Sequence, residues 1–264
     1  MSDDIVVLEI EDGVATVTLN RRDVHNAFDE AMIARLSAIF DELAGRNDVL
    51  AVVLCGAGKS FSAGADMNWM KRAADSTEEQ NKADALLLAG MLNKLNNLPK
   101  VTIACVRGVA LGGGMGLVSC CDIVIADDSA KFGLSEVKLG LIPATIGPYV
   151  LAAIGPRHMR RYAQTGERFG VEEAHRIGLV HIVADRPEGM PYKLHMIIKE
   201  VQANGPKAMA ASKTLCLDLM GREINQDLID ETADRISVTR AGDEAKEGLS
   251  AFLEKRKPEY TNKR

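Results

Sequence analysis

Aromatic residues make up only 4% of this 264-residue chain, with a single tryptophan. The core must therefore be built from Ala, Val, Ile, Leu and Met. Basic residues are outnumbered, 32 Lys and Arg against 37 Asp and Glu, for a net charge of -5. A general nucleic-acid binder needs clustered positive charge, so no nucleic-acid partner is expected. No apolar stretch reaches the roughly 18 residues of a membrane span, so no membrane partner is expected either. The first residues, Met1 to Ile5, lack the basic run of an export signal. Cysteines number five, an odd count, with no C-x-x-C spacing. All but Cys216 sit in apolar or Gly-rich surroundings, which reads as free buried thiols in a reducing, cytoplasmic setting. The five histidines are scattered without H-x-x-x-H or H-E-x-x-H spacing, so no metal site is expected. What is plentiful is glycine, 23 residues, in a chain that is 47% hydrophobic and 26% charged. That balance excludes wholesale disorder and describes one large globular domain.

Two β-branched runs, Ile5 to Ile10 and Val14 to Leu19, flank Asp12-Gly13 and predict a hairpin. Met32, Ile33, Leu36, Ile39, Phe40 and Leu43 recur at helical spacing behind Asp29, a capping residue. Val49 to Cys55 and Val101 to Val106 are continuous apolar runs, as in strands buried on both faces. Between them lies a helix holding Leu86 to Leu95. Asp122 to Ala126 and Val180 to Ala184 predict further strands. From Pro191 onward the pattern is helical, broken at Gly205-Pro206 and Gly221. The class is α/β, either a doubly wound sheet or a spiral of strand-strand-helix turns.

Gly58-Lys59-Ser60 fails as a phosphate loop, because Val53 stands where the first glycine is needed. Gly112-Gly113-Gly114-Met115-Gly116 fails as a dinucleotide fingerprint, because its third glycine would fall at Leu117. No G-x-S-x-G elbow is present. Two features remain: Phe61-Ser62-Ala63-Gly64-Ala65-Asp66 and the glycine cluster 112–116. Each follows a buried strand and precedes a helix. Small residues there leave backbone N–H groups free to converge on one oxygen, as an oxyanion hole requires. Tight turns or close helix packing are the alternative use of the same glycines.

These segments resemble the enoyl-CoA hydratase/isomerase (crotonase) superfamily. Gly108 to Gly114, Cys121-Asp122-Ile123 and Phe132-Gly133-Leu134-Ser135-Glu136-Val137 match it. So do Asn20-Arg21, Asn26-Ala27, Leu139 to Pro143 and the ending Ala251 to Pro258. The runs Leu134 to Ile154, Arg160-Arg161-Tyr162 and Thr165 to Phe169 most resemble the methylglutaconyl-CoA hydratase-like branch. The resemblance implies a crotonase-like spiral core over 1–190 and a C-terminal helical trimerisation segment over 191–264. The assembly it implies is a homotrimer or a dimer of trimers. It also implies an acyl-CoA thioester substrate and no separate cofactor, coenzyme A being carried by the substrate. The oxyanion donors would be the N–H groups of Ala65 and Gly113. Coenzyme A would lie along the backbone of Ala63, Ala65, Asp66, Met67 and Asn68. Phe252 and Lys255 would reach a neighbouring subunit's coenzyme site, the alternative being a solvated helix end. Trp69, Met70, Leu86 and Leu141 are expected near the acyl pocket.

The family's hydratases usually carry two glutamates. Glu136 matches the second, whereas the first falls on Gly116. The expectation is hydration of a 2-enoyl-CoA with Glu136 as acid and base. The alternatives are a single-glutamate enoyl-CoA isomerase and a non-catalytic CoA-binding scaffold, which retention of Glu136 argues against. Gly116 is expected to leave a space for an ordered water or for the carboxylate of an acidic acyl group. Lys71 and Arg72 are nearby cations for such a group, or else ordinary solvated helix residues.

Overall fold

Alternating apolar residues at the start of the chain make the predicted hairpin: β1 (Val6–Glu11) pairs antiparallel with β2 (Val14–Leu19). Its turn residues Asp12 and Gly13 both have positive φ, 47° and 76°, the conformation whose twist matches a two-residue hairpin. The computed structural model describes residues 4–261, so Met1 to Asp3, and with them most of the run read for an export signal, lie outside the described residues. The chain continues through α1 (Glu30–Gly45), β3 (Ala51–Gly56), α2 (Met67–Ala74), α3 (Glu78–Asn96), β4 (Val101–Val106), β5 (Val109–Leu111) and α4 (Gly113–Cys120). There follow β6 (Ile123–Asp127), β7 (Lys131–Gly133), α5 (Gly147–Thr165), β8 (Arg168–Gly170), α6 (Val171–Arg176) and β9 (Ile182–Ala184). Four helices close the chain: α7 (Met190–Gln202), α8 (Pro206–Leu219), α9 (Gln226–Ala241) and α10 (Asp243–Leu253).

Six strands form one sheet in the order β1-β2-β3-β4-β6-β9, parallel apart from the hairpin. The short strands β5, β7 and β8 form a second sheet. Successive turns of the chain thus give a long strand to the first sheet, a short one to the second, and then a helix. This is the crotonase-like spiral. The sequence does not predict β5, β7 and β8, which lie in glycine-bounded stretches with no extended apolar run around them. α3 starts earlier than its apolar residues, since Thr77 and Gln80 form a capping box ahead of them.

The strands of the large sheet alternate between two cores. Val52, Leu54, Ala104, Val106, Val124 and Ala126 face α1, α3 and α4. Val53, Ile103, Cys105 and Ile125 face Met190, Leu194, Ile197 and Ile198 of α7. The helical segment expected for 191–264 therefore begins as a layer of the core, and α7 closes one face of the sheet. The later helices leave Ile229, Ile236, Val238, Phe252 and Leu253 exposed, as is Ile224 in the loop before α9. All five cysteines are free: Cys105, Cys120 and Cys121 are buried, and burial pushes their thiols well above the ordinary range. No described helix is long and apolar enough to cross a membrane.

α8 is fastened to the sheet by one buried cation. Lys213 Nζ donates to Asp122 Oδ2 at 2.9 Å, and the same oxygen accepts from Thr102 N–H at 2.8 Å and Thr102 Oγ1 at 2.9 Å. The Lys213 side chain is only 11% exposed. Asp122→Ala would orphan the Thr102 amide and leave the ammonium without a counter-charge, with only its longer bonds to Lys100 O at 3.3 Å and Thr102 Oγ1 at 3.4 Å. A loss of about 2–3 kcal/mol is expected, below the figure for a fully buried pair because Asp122 is part-exposed. Urea unfolding should show most of that loss recovered when Lys213→Met is added.

Candidate active site

The two glycine-rich segments meet as backbones. Ser62 N–H donates to Val109 O and Leu111 N–H to Ser62 O, both at 3.0 Å, extending the ladder past β3 and β5. Beyond that ladder only glycine fits. A Cβ on Gly64, whose φ is +92°, would stand 2.9 Å from Leu111 O, and one on Gly114 would stand 2.6 Å from Ser62 O. On the other side, Phe28 N–H donates to Gly64 O at 2.7 Å and Asp66 N–H to Phe28 O at 2.8 Å. The Ala65 N–H lies between these two bonds and donates to no acceptor among the described residues. Gly113 opens α4, where the first N–H groups have no intrahelical partner, and its N–H is likewise unpaired. The structure thus brings together the two expected oxyanion donors. A Cβ on Gly113 would meet Phe28 Cε2 at 2.7 Å, so Phe28, a residue the sequence reading did not single out, backs that donor.

Glu136 begins a single 3₁₀ turn, Glu136–Leu139, ended by Gly140 in the left-handed conformation. Its carboxyl lies over the start of α4: a Cβ on Gly112 would be 3.1 Å from Glu136 Oε1. Oε2 is buried without a hydrogen-bond partner. Burial raises the carboxyl above its ordinary range, opposed only in part by its own backbone N–H. A carboxyl so placed holds a proton more readily than an exposed one, which suits an acid/base group.

Glu136, Ala65 and Gly113 line one cavity of about 260 Å³, walled by Phe28, Met70, Leu139 and Ile142. Trp69 and Leu141 line it as expected. Leu86 does not: it points outward, 62% exposed, and Leu88, half a turn further along α3, takes its place. The space expected at Gly116 is also absent. A Cβ there would lie 2.3 Å from Ile146 Cγ2, so the isoleucine fills the volume that a carboxylate would occupy. Neither a water nor a substrate carboxylate can use it. Arg72 is tied to Glu30, with both carboxylate oxygens at 2.7 Å, and is not a cavity residue. Lys71 lines a larger groove outside the cavity.

Along the backbone read for coenzyme A, several donors are already used. Ala63 N–H bonds His25 O at 2.9 Å, Asp66 N–H bonds Phe28 O, and Asn68 N–H caps Asp66 Oδ1 at 2.8 Å. The N–H groups of Ala65 and Met67 remain. The Asp66 side chain is a clamp: it caps α2 and accepts from Arg21 Nη2 at 3.1 Å, while Arg21 also holds Asp29. Burial alone would raise the Asp66 carboxyl, but the Asn68 and Trp69 amides and Arg21 hold it below its usual range. Phe252 and Lys255, at the exposed end of α10, do not line the cavity of their own chain.

The family described as Enoyl-CoA hydratase/isomerase matches residues 9–263. A solved structure of an enoyl-CoA hydratase from Shewanella pealeana is 42% identical, with a TM-score of 0.94 over 97% of this chain and 96% of its own. A short-chain-enoyl-CoA hydratase from Clostridium acetobutylicum is 35% identical over 96% of both chains. A crotonyl-CoA hydratase from Syntrophomonas wolfei is 34% identical over 98% of both.

Glu136 has a stability signature separable from catalysis. The folded chain holds its proton more tightly than the unfolded chain, whose ordinary value is 4.5. Ionisation therefore costs stability as pH rises from that value through the folded pKa. Glu136→Gln is expected to be more stable than the parent at pH 7, with the gap closing as pH falls towards 4.5. Thermal unfolding across that range checks the sign.

Proposed function

The chain belongs to the enoyl-CoA hydratase/isomerase family, and we propose that within it the chain adds water to the double bond of a short 2-enoyl-CoA thioester. The observation that supports this reading is the unpartnered, raised Glu136 carboxyl in the same cavity as two unpaired N–H groups. The thioester oxygen would accept from Ala65 and Gly113 N–H, so that enolate charge is met by fixed dipoles. Glu136 takes a proton from water as its oxygen bonds to Cβ, and the same carboxyl returns a proton to Cα. Coenzyme A is part of the substrate, and no further cofactor takes part. The chemistry consumes one water and leaves Glu136 as it began.

One observation favours a second reading. With Ile146 occupying the place beside Gly116, the cavity holds a single carboxyl, which suffices to move a proton between carbons. An enoyl-CoA isomerase would use the same enolate and the same two N–H donors.

The acyl group we propose is of the branched, glutaconyl type. The run 134–154, which carries the resemblance to the methylglutaconyl-CoA hydratase-like branch, supplies Ser135, Glu136, Leu139, Leu141 and Ile142 to the cavity wall. That resemblance therefore falls on the part of the chain that selects the acyl group. The cavity wall holds no basic side chain, and Lys71 lines the neighbouring groove.

The assay offers crotonyl-CoA and a glutaconyl-type thioester and follows loss of the conjugated absorbance with product mass. A gain of one water supports hydration, and an isomer without added water supports the second reading. The glutaconyl ester should be preferred by at least about tenfold in kcat/KM if its charge is recognised. Equal efficiency on the two esters rejects the acidic acyl group. Glu136→Gln should lower turnover about 10²-fold or more.

The exposed apolar side chains of α9 and α10 support a trimer or a dimer of trimers as the working assembly. Light scattering at micromolar concentration should show no stable monomer.

A further inference from the structure

Trp69 is the only tryptophan in the chain, and it stands between two spaces. It lines the catalytic cavity of about 260 Å³ and also a groove of about 780 Å³ behind it. Met70, Leu88, Leu139 and Leu141 share that position. Glu136 and Gly113 line only the cavity, whereas Asp84 lines only the groove. The indole Nε1–H donates to Asp84 Oδ2 at 3.4 Å. The ring therefore crosses from one space to the other, with its polar edge anchored on the groove side by α3. Ala73 and Thr145 also line both spaces; among all these neighbours the indole is the one aromatic plate, and its N–H is tethered to Asp84.

We propose that Trp69 sets the upper limit on acyl-chain length, by closing the catalytic cavity off from the groove. This rests on the acyl-thioester reading above and deepens it. A water-sized group takes about 30 Å³, so the cavity holds roughly eight or nine such groups. That accommodates a thioester carbonyl, an attacking water and a short acyl chain. A longer chain has to pass the ring. Beyond it the groove is lined by Met67, Ala74 and Ala85 as well as the shared apolar wall, surface on which added methylenes can be buried.

α2 suits such a partition. It contains no fully buried residue. Its fastenings include the Asp66 cap, the exposed Arg72–Glu30 pair, the Asn81 Nδ2 bond to Ala73 O at 3.1 Å and the long Trp69–Asp84 bond. The ring packs against the core and is oriented by one long hydrogen bond, to Asp84, which a single substitution can cut.

The test titrates saturated acyl-CoA esters from butanoyl to dodecanoyl, which bind without reacting, into the parent, Trp69→Ala and Asp84→Ala proteins by calorimetry. Turnover of the matching 2-enoyl esters is measured alongside. In the parent, affinity should stop rising after about six acyl carbons. In Trp69→Ala it should continue to rise by up to about fourfold per methylene, giving the decanoyl ester at least a tenfold gain over butanoyl relative to the parent. Asp84→Ala keeps the ring and frees its N–H, so its length profile should shift the same way by less. It also carries the test if Trp69→Ala does not fold. Identical length profiles in parent and variants, with esters bound and turned over, would overturn the role of Trp69 and leave the function standing. Failure of every ester to bind would reject the acyl-thioester reading itself, and this inference with it.

Discussion

Two backbones that must touch while each keeps one N–H unspent are the constraint around which this molecule is arranged. Hydrogen bonds between Ser62 and the 109–111 segment carry the chains together, and the absence of side chains at Gly64 and Gly114 lets them close. The chains then separate into α2 and α4, and it is at helix starts that N–H groups lack internal acceptors. Gly113 is left unpaired because it opens α4, and Ala65 because it lies between the Phe28 ladder and the Asp66 cap. The spiral explains why the two fall side by side. Each of its turns ends a long strand at the same edge of the sheet, so the segments that follow β3 and β4 are neighbours because those strands are paired.

Glu136, the proposed acid/base group, is governed by a different balance. Glu136 is put out of water without a cation beside it, which raises its proton affinity. A second carboxylate at position 116 would face the same desolvation and would repel the first. Here the position is glycine and the volume belongs to Ile146. Dispersion and burial have replaced a charge, which leaves a drier cavity and a Glu136 that titrates alone. A lone carboxyl with both oxygens in play can act on two neighbouring carbons in turn. That is the feature hydration and isomerisation share, and it is why product identity rather than rate separates them.

Much of this was legible in the residues. The hairpin followed from Asp12-Gly13 between alternating runs, and α1 from Asp29 and its apolar stripe. The buried strands β3, β4 and β6 followed from unbroken β-branched runs, since both of their faces are covered. The glycine segments could be marked as candidate ligand-facing backbone because each sits between a strand and a helix. Their contact could not be read, since it depends on which strands pair. Ile146 was illegible for the same reason: it lies 30 residues from Gly116 and reaches it only because α4 packs against α5. Leu86 and Leu88 show a finer limit. Two positions on one helix turn differ by 200° in direction, and an Ala/Leu-rich helix does not say which leucine faces the cavity. The small sheet is not legible because its short strands are bounded by glycine and lack an extended apolar run, unlike the equally short β9 at the end of Val180 to Ala184.

Rigidity is distributed unevenly over a very short stretch of chain. Ala65 and Trp69 are four residues apart, yet one belongs to a donor fixed on both sides by backbone bonds and the other to a helix with no buried residue. Asp66 separates them. Its amide completes the Phe28 ladder, while its carboxylate caps α2 and is gripped by Arg21, which is itself held by Asp29 and the Ala27 carbonyl. The start of α2 is thus held by a side-chain clamp, whereas the Ala65 peptide is held by backbone bonds on either side of it. On the proposed reading, a change at Trp69, Met70 or the 139–142 turn would alter which acyl chains the cavity admits while the Ala65 peptide stays held by its neighbours' bonds to Phe28.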